Sequence, residues 1–331
     1  MALLTRATSL THFAKVAHEA GLDAAALLDE VGLPATALHA DDLMLPIDAV
    51  AAVLELAAER SGWIDFGLRM AEGRQISNLG PLGLLLREEA TLRRALGALM
   101  RYLHTYNEAL AFKVEEDGRY VILREEALVG RATAVRQGIE LSLAVSCRVL
   151  GLFMGSHWQP HRVCFAHAAP RGRTLHARAF GPGVEFGHDF NGLVIHAREL
   201  DVPNPGADPV IARYARQALE SARGARRRGP ADEIRHLVLL LLPTGSCSVE
   251  AVARHFGVTR RTIHRQLEAE GLSFTALVQL IRRELAQRYV EHGARPLEQV
   301  GALLGFAQAS SFSRWYRAEF GAAARQTRGG R

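Results

Sequence analysis

The chain has 331 residues, 48% hydrophobic and 23% charged, which is the balance of a globular protein long enough for two domains. A net charge of +5 conceals an asymmetry: Arg226 to Arg331 holds 17 arginines and 9 acidic residues, giving +8, while the remaining 23 basic and 26 acidic residues give −3. Cys147, Cys164 and Cys247 are too scattered for a disulfide framework or a metal site, Arg6, His12, Lys15 and His18 break up any leader, and the longest apolar run, Leu237 to Leu242, is too short to span a bilayer. A cytoplasmic protein with no membrane partner is expected, its positive charge gathered in the last third, where a phosphate backbone would be met.

Taken in order, residues 9 to 31 read as two short helices around Gly21, and Pro46 opens a helix that runs to about Arg60. Trp63 to Glu72 adds a further helical turn or two, and Leu79-Gly-Pro-Leu-Gly83 breaks the pattern. Helical spacing resumes from Thr91 to Tyr106. Ala109 to Glu115 and Tyr120 to Glu125 read as strands joined at Asp117-Gly118, a hairpin signal. Ala134 to Met154 is a long, mostly apolar helix, His161 to Ala166 and Gly192 to His196 are strands, and Asp208 to Ala222 is a last helix. Residues 1–222 are thus expected to form a mixed α/β domain that is mainly helical. Arg223-Gly-Ala-Arg-Arg-Arg-Gly-Pro230 reads as an exposed linker.

Residues 231–331 are expected to be all α, with one pattern appearing twice. The first copy has a small residue, Ala253, then Gly257 four residues on, where a turn needs positive φ, then the inward aliphatic Ile263. The second has Gly301, Gly305 and Phe312, and the two turn glycines lie 48 residues apart. In the second helix of the first copy, Ile263 and Leu267 face inward while Arg261, His264, Arg265 and Glu268 share the outer face. In the other copy Phe312, Tyr316 and Phe320 face inward, and Ser310, Ser313, Arg314 and Arg317 lie outside. Between the copies, Leu277, Leu280, Ile281, Leu285 and Tyr289 give Phe274 to His292 a helical period. Such a linker helix is about 27 Å long at 1.5 Å per residue, and it can hold two helix-turn-helix motifs against successive major grooves of double-stranded DNA, about 34 Å apart.

These residues resemble the AraC/XylS family of bacterial transcription regulators. The resemblance is carried by Gly271-Leu-Ser-Phe274, Arg282-Arg-Glu-Leu-Ala286, Leu304-Gly-Phe306 and Ser311-Phe-Ser-Arg-Trp-Tyr316, across about residues 231 to 328. It implies base contacts from Arg261, His264, Arg265, Ser310, Ser313 and Arg314; Arg254, Arg282 and Arg317 are the phosphate candidates. The closing segment departs from the family pattern, with Ala324, Thr327 and Arg328 where Pro, an aromatic and Arg are usual. The first two hundred residues resemble the arabinose-binding-type effector domain of one branch of that family. The match rests on Gly80-Pro-Leu-Gly83, Thr91-Leu92, Trp158-Gln-Pro160 with Val163, Phe165 and His167, and Phe180-Gly181 with Phe186. The resemblance implies a transcription regulator controlled by a small-molecule effector. A homodimer through this domain and contact with RNA polymerase, if the output is activation, go with it.

No catalytic or cofactor motif competes with this reading. His157 and His161 have the four-residue spacing of a zinc helix, but Pro160 and the missing glutamate argue for a loop. Gly181 to Gly187 lacks the dinucleotide spacing, and Glu88-Glu89 and Glu125-Glu126 are expected to be surface charges. Trp158, Phe165, Tyr102 and Tyr106 are aromatic enough to line an effector pocket, but ordinary packing accounts for each, and the pocket residues stay unassigned. The alternatives are an enzyme targeted by a DNA-binding tail and an architectural DNA binder. The alkyl-transfer repair proteins related to the family use a four-cysteine zinc site that three cysteines cannot build.

Overall fold

The computed structural model describes residues 3–127, 135–155, 157–225, 230–242, 245, 247–292 and 296–329. They form two compact units that divide after Ala225.

The N-terminal unit opens with strand β1 (Leu4–Arg6), helices α1 (Phe13–Glu19) and α2 (Ala24–Glu30), and strand β2 (Met44–Pro46), which pairs antiparallel with β1. This small ribbon has strands of three residues each, too short for an alternating pattern to show in the sequence. Pro46 ends β2 and serves as the N-cap residue of α3 (Ile47–Ser61), and α4 (Phe66–Glu72) follows. Gly80-Pro-Leu-Gly83 is a helix start and not a break: α5 (Gly80–Arg87) begins there, with Pro81 in its first turn, where a missing N–H costs nothing. Thr91 then caps α6 (Leu92–Tyr102) by accepting from the Arg94 N–H.

A five-stranded mixed sheet completes the unit, built from β3 (Leu110–Asp117), β4 (Tyr120–Ala127), β5 (Arg162–Phe165), β6 (Val184–Phe186) and β7 (Gly192–His196) in the order β3-β4-β7-β5-β6. All neighbours are antiparallel except β5 and β6. Asp117 pairs with Tyr120, so the hairpin turn is Gly118-Arg119, with Gly118 at φ 56°, one residue later than the dipeptide signal. Val121, Leu123, Val163, Phe165, Leu193 and Ile195 point to one face and are buried. Against them lies α7 (Arg136–Met154), which is long and apolar enough to cross a bilayer but serves as a core helix, burying Ile139, Leu143 and Leu150. Helix α8 (Thr174–Phe180) was not foreseen, and α9 (Pro209–Ala225) runs three residues into the expected linker, since Ala222 and Ala225 favour helix. The arginines at 226–228 lie outside the described residues.

Glu88 and Glu89 are not surface charges. Both are buried, and they anchor α9: Glu88 accepts from the Asp208 N–H at 2.9 Å and Glu89 from Arg216 at 2.5 Å.

The C-terminal unit is helical throughout its described residues: α10 (Pro230–Leu241), α11 (Val249–Phe256), α12 (Arg260–Glu268), α13 (Phe274–His292), α14 (Leu297–Leu303), α15 (Ala309–Phe320) and α16 (Ala324–Gly329). Helix α13 buries Leu277, Ile281, Leu285 and Tyr289, while Leu280 is 40% exposed and lies off the buried stripe. At the closing segment Ala324 is buried and Arg328 donates to the Tyr289 carbonyl at 3.3 Å, so α16 docks on α13 without the family's proline and aromatic.

Candidate functional site

Two helix pairs, α11–α12 and α14–α15, turn in the same way. In the first, Gly257 at φ 66° donates to the Arg254 carbonyl and Val258 to that of Ala253; in the second, Gly305 at φ 74° donates to Ala302 and Phe306 to Gly301. These matched bonds, five residues back and three residues back, close a helix end over a left-handed residue, a position that favours glycine. Ser248 caps α11 by accepting from Ala251, and Thr259 caps α12 by accepting from Thr262. The crossing also needs a small residue. A β-carbon on Gly301 would lie 3.1 Å from that of Phe312, and Ala253, its counterpart, is buried.

With Ile263 and Leu267 fully buried, α12 exposes Arg261, His264, Arg265 and Glu268. Burial of Phe312 and Tyr316, with Phe320 half-buried, leaves Ser310, Ser313, Arg314 and Arg317 exposed on α15. The cations of this unit fall into two groups. Arg260 is paired with Glu250 at 2.8 Å, Arg235 with Glu284 at 2.7 Å and Arg283 with Glu319 at 3.3 Å. Arg261, Arg265 and Arg314 have no side-chain partner among the described residues, so their donors are available. The Ser313 hydroxyl donates to the Ala309 carbonyl at 2.9 Å and keeps only its acceptor role.

Of the three phosphate candidates, Arg254 and Arg317 are exposed, but Arg282 is engaged within the unit. Its Nε donates to the Leu304 carbonyl at 2.9 Å and its guanidinium lies 4.6 Å from the Phe306 ring centroid, so it satisfies the end of α14 and holds the second turn in place. Burial lowers its pKa. Arg317 borders a groove with Arg314 and Arg325, and Arg325 is a cation that the sequence reading passed over. Its signal, an arginine just after the turn at Gly321, was weak.

The N-terminal unit holds a cavity of about 180 Å³ between α3, α6, α7 and the β3–β4 hairpin. Of the four aromatics considered, only Tyr106 lines it. The Tyr102 hydroxyl donates to Glu220 at 2.6 Å and its pKa is pushed up to about 12, first by burial and then by that bond; Trp158 donates to Glu199 at 2.9 Å; and Phe165 packs among His176, Phe180 and Phe186. The cavity wall also carries Glu125, which is 1% exposed and accepts from the hydroxyls of Ser142 and Ser146 on α7. Glu125 is therefore another carboxylate wrongly expected at the surface. The missed signal was strand alternation: 121, 123 and 125 share one face, so a residue that continues the Val121, Leu123 series points inward. On the far side of the sheet, Cys164, Glu185 and His188 bring ligand atoms within 4.8 Å of one another, but Arg162 lies 3.6 Å from Glu185 and already gives that carboxylate a cation.

Residues 21–204 match the family model described as the arabinose-binding domain of AraC transcription regulator, N-terminal, and residues 252–330 match a helix-turn-helix domain. The HTH-type transcriptional regulator VirS of Mycobacterium tuberculosis is 32% identical over 327 residues, covering 98% of this chain and 96% of its own. The ornithine utilization regulator of Pseudomonas aeruginosa is 26% identical over 259 residues, 76% of this chain and 74% of its own. The crystal structure of the transcriptional regulator CdpR from Pseudomonas aeruginosa aligns over 79% of this chain and 85% of its own, with a TM-score of 0.42 and 19% identity. By the two family-model matches and the 32% identity to VirS over 98% of its residues, the chain belongs to the AraC type of DNA-binding transcription regulators, in which an arabinose-binding-type effector domain precedes a helix-turn-helix domain.

Proposed function

We propose that α11–α12 and α14–α15 act as two helix-turn-helix motifs, with α12 and α15 entering successive major grooves of one operator. Arg261, His264 and Arg265 read bases at one groove, and Ser310, Ser313 and Arg314 read them at the other. Arg254 and Arg317, joined by Arg325, hold phosphates, while Arg282 acts inside the unit. Helix α13 is the spacer between the motifs, about 27 Å of regular helix. The observation that carries this reading is that Arg261, Arg265 and Arg314 point outward with no side-chain partner among the described residues, while Arg235, Arg260 and Arg283 are held in ion pairs.

The cavity of the N-terminal unit is the effector site on this reading, and the protein acts by binding, not by catalysis. An effector alters DNA occupancy only by the difference in its affinity for two states of the chain, such as two dimer arrangements. RNA polymerase is a partner if the output is activation, and the cytoplasm is the compartment in which such a protein meets its operator.

Arg265→Ala tests base reading. Binding to the chain's own operator should weaken by about 1–3 kcal/mol with relaxed preference at one base pair, and binding to scrambled duplex should change little. An equal loss on both duplexes would reduce Arg265 to a phosphate contact.

A further inference from the structure

The cavity can be read for the chemistry of what it holds, an inference that rests on taking it as the effector site. Its wall is mostly aliphatic, with Val50, Leu54, Leu96, Leu99, Ile139 and Val145 among its residues. A pentose carries a hydroxyl on nearly every carbon, and each one buried without a partner forfeits its hydrogen bonds to water with nothing in return. Such a wall suits a ligand with one polar end.

Glu125 identifies the polarity of that end. Its carboxylate lies on the core face of β4, with a serine hydroxyl donated to each oxygen, and among the described residues no Lys, Arg or His pairs with it. Each oxygen keeps a free acceptor position, in a place where an ionised carboxylate is stable only beside a cation. Burial raises its pKa accordingly. Arg74 also borders the cavity: its Nη2 donates to the Ser9 carbonyl and, at 3.4 Å, to that of Thr11, which holds the β1–α1 connection, while its Nε has no hydrogen-bond partner among the described residues, so the hexanoate arm of the test below weighs it against Glu125. The size is set by a volume of about 180 Å³. An apolar cavity of roughly 150 Å³ admits benzene, so a ligand of about six to nine non-hydrogen atoms is indicated.

We infer that the cavity binds a small, mostly apolar ligand carrying a protonated amine, with the ammonium against the Glu125 carboxylate beside Ser142 and Ser146, and not a sugar.

The test is titration calorimetry and thermal melting of the full chain with hexylamine, 1-hexanol, hexanoate and arabinose at neutral pH. Hexylamine should bind saturably and about tenfold or more tightly than 1-hexanol, with no binding of hexanoate or arabinose. Glu125→Gln should bring hexylamine down to the level of 1-hexanol and leave 1-hexanol unchanged. Val145→Phe, which fills the chamber, should remove both. Tighter binding of hexanoate or arabinose, hexylamine binding unaffected by Glu125→Gln, or no binding by any of the four would overturn the assignment. The effector role fails separately: hexylamine bound as expected but without effect on operator affinity would leave the ligand class standing and remove the cavity from regulation.

Discussion

Glu125 shows how a single residue can link packing, titration and recognition. Strand alternation carries its carboxyl into the core, where desolvation is the largest influence on its pKa and raises it, while Ser142 and Ser146 partly oppose the rise. A carboxyl whose folded pKa stands above its unfolded value contributes its stabilisation below the unfolded pKa, and that contribution is lost as pH rises through the folded one. Wild type should therefore lose stability relative to Glu125→Gln as pH is taken upward from the ordinary carboxylate range, by about 1.4 kcal/mol for each unit of separation between the two pKa values. Melting both proteins across that range in the absence of amine checks this, and a constant gap would mean that the buried carboxyl does not take up a proton. The residue's burial was legible in the alternation of Val121, Leu123 and Glu125, but the pairing with serines on α7 was not, because it joins residues 17 and 21 positions apart.

Among the elements, the two helix pairs were the most readable, because their demands are local: a left-handed glycine, a small residue four positions before it, and an aliphatic or aromatic pointing back into the crossing. Gly301→Val should overpack the α14–α15 crossing against Phe312 and cost about 1–3 kcal/mol of stability. Denaturant unfolding of the full chain measures it, and an unchanged midpoint for the unit's transition would mean that the crossing has room. The reading was poorer where an element depends on distant partners. Helix α5 stands where the sequence suggests a break, since glycine and proline mark a helix start as readily as a stop, and β1–β2 joins segments about forty residues apart. The inward engagement of Arg282, a phosphate candidate in the sequence, was hidden for a related reason: the Leu304 carbonyl that it satisfies lies 22 residues downstream.

At the scale of the whole molecule, charge and apolar volume are divided between two units with different tasks. The excess of +8 over residues 226–331 sits with the arginine faces, while the cavity and its buried carboxylate belong to the N-terminal unit. The division into two domains and the basic tail were visible in composition. The cavity was not, because its wall draws on residues from Thr5 to Leu150 that only the tertiary fold assembles. Two reading helices on one spacer, as proposed, make a geometric commitment that a base-resolution protection experiment can check. Guanine N7 methylation of an operator selected from random duplexes, read with the full-length chain bound, should show two protected major-groove patches per subunit on one face of the DNA, centred about 10–10.5 base pairs apart. A single protected patch per subunit, or two that fall on opposite faces, would contradict the account.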